Sequence, residues 1–303
     1  MISDMEEYRL YFRQFVPFYV VALCTLAHFV YTELTWMPRM DKPFRLDDQA
    51  ISKAFVENEL VSGGMCMLLT VSIPMSVCLA YCMSKETDWK RSNLSKKFER
   101  PMLIDTNTHR FHCAMVMLWV SIGVTGMLTN VLKFKISNFR PDFIERCVPK
   151  EGFTKDSGTA LAYVSEACLQ PNLRFLVEGM KSTPSGHSSM IACGCWYAWR
   201  WIYDHVTRPA ISSTSTSTTT TTSSKLSSIS SRIDIRTIWL PILIATVMVS
   251  RLVDHRHHWY DVIAGCLLGL TCVNVIYYYW STVNNTTSTS SFLSQGHSDL
   301  LPT

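Results

Sequence analysis

The chain has 303 residues, of which 48% are hydrophobic and 17% are charged, and its formal net charge is +4. The Lys and Arg residues do not gather into a basic stripe, so the composition argues against nucleic-acid binding. Mean hydropathy is only +0.11 because polar segments separate long apolar runs. Length alone allows two soluble domains or one membrane domain, and the apolar runs favour the membrane domain.

Six apolar runs approach the roughly 20 residues that a helix needs to cross a bilayer. In chain order they cover about 15–31, 60–83, 113–132, 186–206, 235–253 and 260–280, and Pro241 interrupts the fifth. The second and third contain no charged residue, whereas the buried helices of a soluble protein usually keep one polar face. The sequence therefore predicts an all-α, multi-pass membrane bundle of six transmembrane helices over residues 1–281.

Charge and composition predict the orientation of this bundle. Seven Lys and Arg residues lie in segment 84–110, between the second and third runs, and such short basic loops stay in the cytosol. Both termini are then cytosolic, and the loops after spans one, three and five face the lumen or the exterior. Residues 208–231 and 282–303 are rich in Ser and Thr, so we expect a disordered cytosolic loop and tail. The sequons at Asn93, Asn284 and Asn285 fall on the cytosolic side, where we expect no glycan.

The cysteines divide into two groups. Nine of the eleven lie within or beside the predicted spans, where a thiol is most often a small apolar group. The other two, Cys147 and Cys168, fall in the long exterior loop. Because a lumenal compartment permits disulfides, we expect these two to pair. The sequence has no CxxC pair, so a zinc site is not expected.

Three polar clusters fall at the exterior ends of the predicted spans. They are Lys-x6-Arg-Pro with Lys133 and Arg140, then Pro184-Ser185-Gly186-His187, then Ser-Arg-x5-His-x3-Asp with Arg251, His257 and Asp261. The Lys and the two Arg residues suit a phosphoryl transition state, which spreads negative charge over three oxygens. The N–H groups of Ser185 and Gly186, at the start of a helix, suit the same anion.

Two histidines of these clusters are then available for proton and phosphoryl transfer. His257 and Asp261 are four residues apart, which puts them on one helical face if the sixth span begins near them. A carboxylate on one imidazole nitrogen leaves the other nitrogen as a nucleophile. His187 lies beside the anion site and can protonate the leaving oxygen.

Neighbouring polar residues are expected to have other roles. No metal is expected among His255, His257 and His258, because Arg251 and Arg256 would repel a cation. On a helix, His258 would point about 100° away from its neighbour, so it is not included in the catalytic set. We expect a solvated or headgroup-facing role for the two remaining lysines near the clusters, Lys135 and Lys181.

With every position filled, the three clusters resemble the signature of the type 2 phosphatidate phosphatase superfamily. The segments Phe44-Arg45-Leu46-Asp47-Asp48 and Lys181-Ser182-Thr183-Pro184 are similar to its eukaryotic and fungal lipid phosphate phosphatases. The resemblance implies a six-helix membrane enzyme that dephosphorylates phosphatidate, lysophosphatidate or diacylglycerol pyrophosphate, without magnesium or another cofactor. It also implies phosphate binding by Lys133, Arg140, Ser185, Gly186 and Arg251, a nucleophile His257 oriented by Asp261, and an acid and later base, His187.

Several alternatives stay open, because the clusters hold only the phosphate. Polyprenyl or dolichyl pyrophosphatases, sphingoid-base phosphate phosphatases and glucose-6-phosphatase have the same signature, and the position near headgroup depth favours a lipid. Six spans argue against a vanadium haloperoxidase. A transporter would place ionisable groups near the bilayer midplane, and the second and third spans contain no charged residue. An inactive relative would usually have lost a catalytic residue, and every position of the three clusters is filled. By resemblance, we expect a Golgi, vacuolar or ER membrane with the site facing the lumen.

Overall fold

The computed structural model describes residues 2–38, 40–83, 98–151, 161–207 and 237–298. The fold of these residues is almost entirely helical, so the predicted all-α class is confirmed. In chain order the helices are α1 (Ile2–Thr35), α2 (Gly63–Met83), α3 (Thr106–Ile136), α4 (Phe143–Cys147), α5 (Val164–Ala167), α6 (Leu173–Glu178), α7 (Gly186–Ile202), α8 (Trp239–Val253) and α9 (Trp259–Ser298). Two short strands, β1 (Pro43–Phe44) and β2 (Ala162–Tyr163), pair antiparallel.

The long helices form a membrane bundle. Within the described ranges, four stretches are long and apolar enough to cross a bilayer: Asp4–Thr35, Gly63–Met83, Thr106–Ile136 and Trp259–Trp280. Helices α7 and α8 are shorter, with 17 and 15 residues, and they pack within the same bundle. A multi-pass helical membrane protein is therefore confirmed, whereas the count of six spans stays a prediction.

Helix α7 lies at the centre of the bundle, where it contacts α2, α3, α8 and α9. The buried Tyr197 donates its hydroxyl hydrogen to the carbonyl oxygen of Ala114 in α3, at 2.6 Å. Gly194 allows α2 to approach closely, since a Cβ at this position would overlap the backbone of Thr70. Helix α7, whose start carries the second polar cluster, is thus held from several sides.

Helices α3 and α8 do not begin at the first residue of the corresponding apolar run. Helix α3 begins at Thr106, where the Asp105 carboxylate accepts from the backbone N–H of Asn107 at 2.9 Å. Pro241 does not interrupt α8, because this helix starts at Trp239 and its first turn loses no intrahelical bond to a proline.

Helix α9 includes part of the segment expected to form a disordered tail from residue 282, and disorder of that tail stays a prediction. Helix α9 continues to Ser298, since extending an existing helix avoids the cost of nucleating a new one. The predicted disordered loop at 208–231 and the sequon at Asn93 lie outside the described residues.

A small second core covers the end of the bundle at which α3 ends and α7 begins. It contains Phe44 of β1 together with Phe139 and Phe143, which follow α3. Cys147 and Cys168, for which a pairing was predicted, are joined by a disulfide with their Cα atoms 4.7 Å apart. This layer fixes the backbone on both sides of the first polar cluster's arginine.

Candidate active site

The first polar cluster extends from the last turn of α3 into the following loop. Lys133 is 9% exposed and lies beside the start of α7, because a Cβ added to Gly186 would be 3.1 Å from its Nζ. Arg140 donates its backbone N–H to Gly179 O at 2.8 Å and its Nη2 hydrogen to Glu178 Oε2 at 3.2 Å. The buried Nε of Arg140 has no partner among the described residues. A phosphate oxygen would satisfy this buried donor.

The second cluster caps α7. Ser185 is the N-cap, and its Oγ accepts from the backbone N–H of Ser188 at 3.4 Å. Its own backbone N–H donates to the carbonyl oxygen of Asp261 at 3.0 Å, so this N–H is already used. Close approach of α9 requires Gly265, where a Cβ would overlap Ser185 O. The predicted anion cradle therefore relies on the N–H groups that follow, beginning at Gly186.

Arg251 of the third cluster lies near the end of α8 and is 1% exposed. Its Nη2 donates to Asp254 Oδ2 at 2.6 Å, and its Nε donates to Ser250 Oγ at 3.2 Å. Its Nη1 donates to Glu59 Oε2 at 2.9 Å and also lies 3.5 Å from His187 Nε2. The third cation and the predicted acid are therefore direct neighbours.

His257 lies in the loop between α8 and α9 and is 4% exposed. Its Nδ1 is 2.7 Å from the carbonyl oxygen of Ser182. Because a carbonyl only accepts hydrogen bonds, Nδ1 carries the proton and Nε2 has the free lone pair that a nucleophile needs. Burial, followed by the charges of Arg140 and Lys133, lowers the pKa of His257 well below its usual range. The imidazole is therefore neutral at neutral pH.

This low pKa predicts that His257 stays nucleophilic in mild acid. An unperturbed histidine becomes protonated below about pH 6.5 and loses its lone pair. The depressed pKa of His257 keeps the neutral form as pH falls through that range. The measurement is kcat/KM from about pH 5 to 8, corrected for the titration of the substrate phosphate. An acid limb centred near pH 6.5 would contradict the prediction.

Asp261 is buried but does not contact His257 in the predicted way. Helix α9 begins two residues after His257, so the two side chains do not share a helical face. Asp261 Oδ2 instead accepts from Ser182 Oγ at 2.6 Å and from the backbone N–H of His258 at 2.8 Å. Since Ser182 O binds His257 Nδ1, Asp261 holds the segment that orients His257 rather than the imidazole itself.

The three clusters meet at one end of the bundle. The eight predicted residues are all buried or half-buried there: Lys133, Arg140, Ser185, Gly186, His187, Arg251, His257 and Asp261. Over the described part of the chain, no group of three or more His, Cys, Asp and Glu side chains is arranged to hold a metal ion. The arrangement is a cationic pocket with two histidines, and the catalytic roles of its residues stay predictions.

The sequence reasoning missed the carboxylate that binds two of the cations at this end. Glu178, at the end of α6, accepts from Arg140 and also from Lys181 Nζ at 3.0 Å. The prediction that Lys181 faces solvent or headgroups is therefore wrong, because this residue is 2% exposed. Lys135 is exposed, as expected. Glu178 and Lys181 are three residues apart in the sequence, and this spacing was a weak indication of their ion pair.

Comparison with known proteins gives the same assignment. The model of the PAP2 superfamily matches residues 114–285, which include all three polar clusters. The chain belongs to the PAP2 superfamily. Lipid phosphate phosphatase 1 of Saccharomyces cerevisiae is 36% identical over 284 residues, which cover 92% of this chain and 93% of that protein. Diacylglycerol pyrophosphate phosphatase 1 of the same yeast is 26% identical over 238 residues, with 78% and 70% covered.

A relative from a second yeast extends this pattern. Probable diacylglycerol pyrophosphate phosphatase 1 of Schizosaccharomyces pombe is 24% identical over 273 residues, which cover 90% of this chain and 83% of that protein. No solved structure gives a significant match. The predicted resemblance to fungal lipid phosphate phosphatases is confirmed, and with it the prediction that the chain is a phosphatase.

Proposed function

We propose that this PAP2 superfamily protein hydrolyses lipid phosphates in phospholipid metabolism, through a phosphohistidine on His257 and without magnesium. The observation that carries the proposal is the buried His257, with Nδ1 bound by Ser182 O and with the charges of Arg140 and Lys133 acting on it. The yeast relatives are named for lipid phosphate and diacylglycerol pyrophosphate. Phosphatidate, lysophosphatidate and diacylglycerol pyrophosphate are therefore the proposed substrates.

In the first half of the reaction, His257 Nε2 attacks the phosphorus atom. The new P–N bond forms as the P–O bond to the leaving group breaks. His187 gives its proton to the departing oxygen, so that it leaves as an alcohol, or as phosphatidate when the substrate is the pyrophosphate. Lys133, Arg140 and Arg251 stabilise the charge on the transferred group, as a metal ion does in other phosphoryl-transfer enzymes.

In the second half, water cleaves the phosphohistidine. His187, now neutral, takes a proton from the attacking water. The P–N bond breaks and its electron pair returns to His257 Nε2. Inorganic phosphate leaves, and both histidines have regained their starting protonation states. The two half-reactions balance in atoms and electrons without an oxidant, a reductant or a metal ion.

Helix α3 supports the proposed orientation of the site. This helix runs from Thr106, inside the basic segment 84–110, to Ile136, next to the pocket. Its 31 residues span about 46 Å at 1.5 Å per residue, which exceeds the bilayer core. If the basic segment is cytosolic, the pocket faces the lumen of the Golgi, vacuole or ER.

The proposal is tested by phosphate release from phosphatidate, with detergent-solubilised protein in excess EDTA. We expect release to continue, and we expect lysophosphatidate and diacylglycerol pyrophosphate to be hydrolysed as well. Loss of activity in EDTA that magnesium restores would overturn the metal-independent mechanism. Hydrolysis of polyprenyl pyrophosphates or sphingoid-base phosphates, with none of the three lipids accepted, would overturn the substrate class.

Arg140→Lys should lower kcat/KM by about 10²-fold, although the positive charge is kept. Lysine lacks the planar fork that spans two phosphate oxygens, and it cannot replace the buried Nε–H donor. The measurement is steady-state kinetics on phosphatidate. Arg45→Lys is the matched control, since Arg45 is exposed and pairs with Asp47 at 2.7 Å. Near-normal kcat/KM in Arg140→Lys would reject the bidentate role.

A further inference from the structure

The loop between α1 and α2 forms a strap across the active-site end, defined here as residues 50–60. Side chains from the third cluster hold it at four points, three of them on carbonyl oxygens of the strap. The contacts are His258 Nε2 to Ala50 O at 3.2 Å, His255 Nδ1 to Ala54 O at 3.0 Å, Arg256 Nη2 to Val56 O at 2.9 Å, and Leu60 N to Asp254 Oδ2 at 3.1 Å. The residues that flank the nucleophile therefore fix the strap.

This strap carries one carboxylate into the cationic pocket. Glu59 Oε2 accepts from Arg251 Nη1 at 2.9 Å, and Glu59 Oε1 lies 3.1 Å from Arg256 Nη2. The side chain is 27% exposed. Burial opposes ionisation, but the hydrogen bond from Arg251 and the charges of both arginines outweigh it and lower the pKa of Glu59. Glu59 is therefore an anion between two arginines.

The contact with Glu59 restrains Arg251 from outside its own helix end. The other two partners of the guanidinium, Ser250 and Asp254, are within three residues of it in the chain. Glu59 is 192 residues away and binds Nη1, the nitrogen that also lies 3.5 Å from His187 Nε2. The strap thus determines how the arginine faces both the phosphate pocket and the histidine.

The groups around His187 are mainly cationic. Those that face it are Arg251 from α8, Lys133 from α3, Arg140 from the loop after α3, His257 from the loop before α9 and Glu59 from the strap. Burial and positive neighbours both disfavour the imidazolium that a general acid needs, whereas a negative neighbour favours it. The negative charge of Glu59 therefore favours the protonated form of His187, whereas the surrounding cations disfavour it.

We propose that Glu59 is a positioning residue of the phosphatase reaction, which holds Arg251 in place and balances the positive charge around His187. The inference rests on the proposed function, because it assigns His187 the role of general acid. Glu59 itself touches neither the reacting phosphorus nor the nucleophile. Its effect passes through Arg251 and through the electrostatic field at His187.

The test is the pH profile of kcat/KM for phosphatidate in Glu59→Gln, compared with wild type. Removing the negative charge makes His187 release its proton more readily, so the alkaline limb should move to lower pH by about half a unit or more. A purely structural role would lower activity without moving this limb. Glu57→Gln is the matched control, because Glu57 is exposed on the same strap and the charge change is identical. Its profile should coincide with that of wild type.

Glu59→Asp keeps the charge and gives a second test, which also serves if Glu59→Gln does not fold. Its alkaline limb should stay at the wild-type pH, while kcat/KM falls because the shorter side chain holds Arg251 less well. An unmoved limb in folded Glu59→Gln, or a moved limb in Glu59→Asp, would overturn the inference. Inactive wild-type protein would instead overturn the proposed function, so the two failures are distinguishable.

Discussion

His257→Ala should abolish phosphate release from phosphatidate, with kcat lowered by at least about 10⁴-fold. In the proposed mechanism, His257 supplies the lone pair that attacks the phosphorus of the lipid substrate. The cations that remain can bind the phosphate but cannot form the covalent intermediate. The measurement is phosphate release under saturating substrate, together with the amount of phosphate covalently attached to protein after denaturation. Both quantities should fall to background.

His255→Ala is the matched control for this variant. It removes a nearby imidazole whose Nδ1 bonds Ala54 O of the strap, and it leaves the His257 contact to Ser182 O intact. We expect only a partial loss of turnover, because this variant removes one of the four contacts that hold the strap but keeps the nucleophile. Equal activity in wild type and His257→Ala would show that another group is the nucleophile.

The apolar helices, and the placement of the eight candidate residues near helix ends, could be predicted because their signals are local. An apolar run of bilayer length and a reactive side chain beside it are visible without knowledge of tertiary packing. The predicted contact between Asp261 and His257 was different, because it assumed that a helix already includes residue 257. Helix α9 begins only at Trp259, and Ser182 O, 75 residues away in the chain, binds the imidazole instead.

The carboxylates of the site lay beyond prediction for a related reason. Glu59 and Glu57 lie on the same short segment, and their local sequence does not distinguish a half-buried partner of arginine from an exposed glutamate. Only the folded strap brings Glu59 to Arg251, across 192 residues of chain. The phosphate-binding lysine and arginines could be predicted because a phosphate requires positive side chains. The carboxylates that bind those side chains could not, because their position depends on tertiary structure. This is why Lys181 was wrongly expected to face solvent.

His187→Ala should separate the two halves of the reaction. With phosphatidate, turnover should fall by about 10² to 10⁴-fold, because the alkoxide must leave without a proton. With an aryl phosphate, whose leaving group needs no acid, His257 should still become phosphorylated. Hydrolysis of that intermediate still needs His187 as a base, so covalent phosphate should accumulate on the protein. The measurement is the stoichiometry of protein-bound phosphate during a single turnover.

The comparison among variants makes this result specific to the proposed roles. Wild type should hold little covalent phosphate, since its second step is fast, and His257→Ala should hold none, since the first step cannot occur. If covalent phosphate accumulates only in His187→Ala, the nucleophile is a residue other than His187. His187 is then the base of the later step, in which water hydrolyses the intermediate. If His187→Ala releases phosphate from the aryl ester as fast as wild type, His187 is not that base. Its position 3.5 Å from Arg251 would then reflect phosphate binding rather than proton transfer.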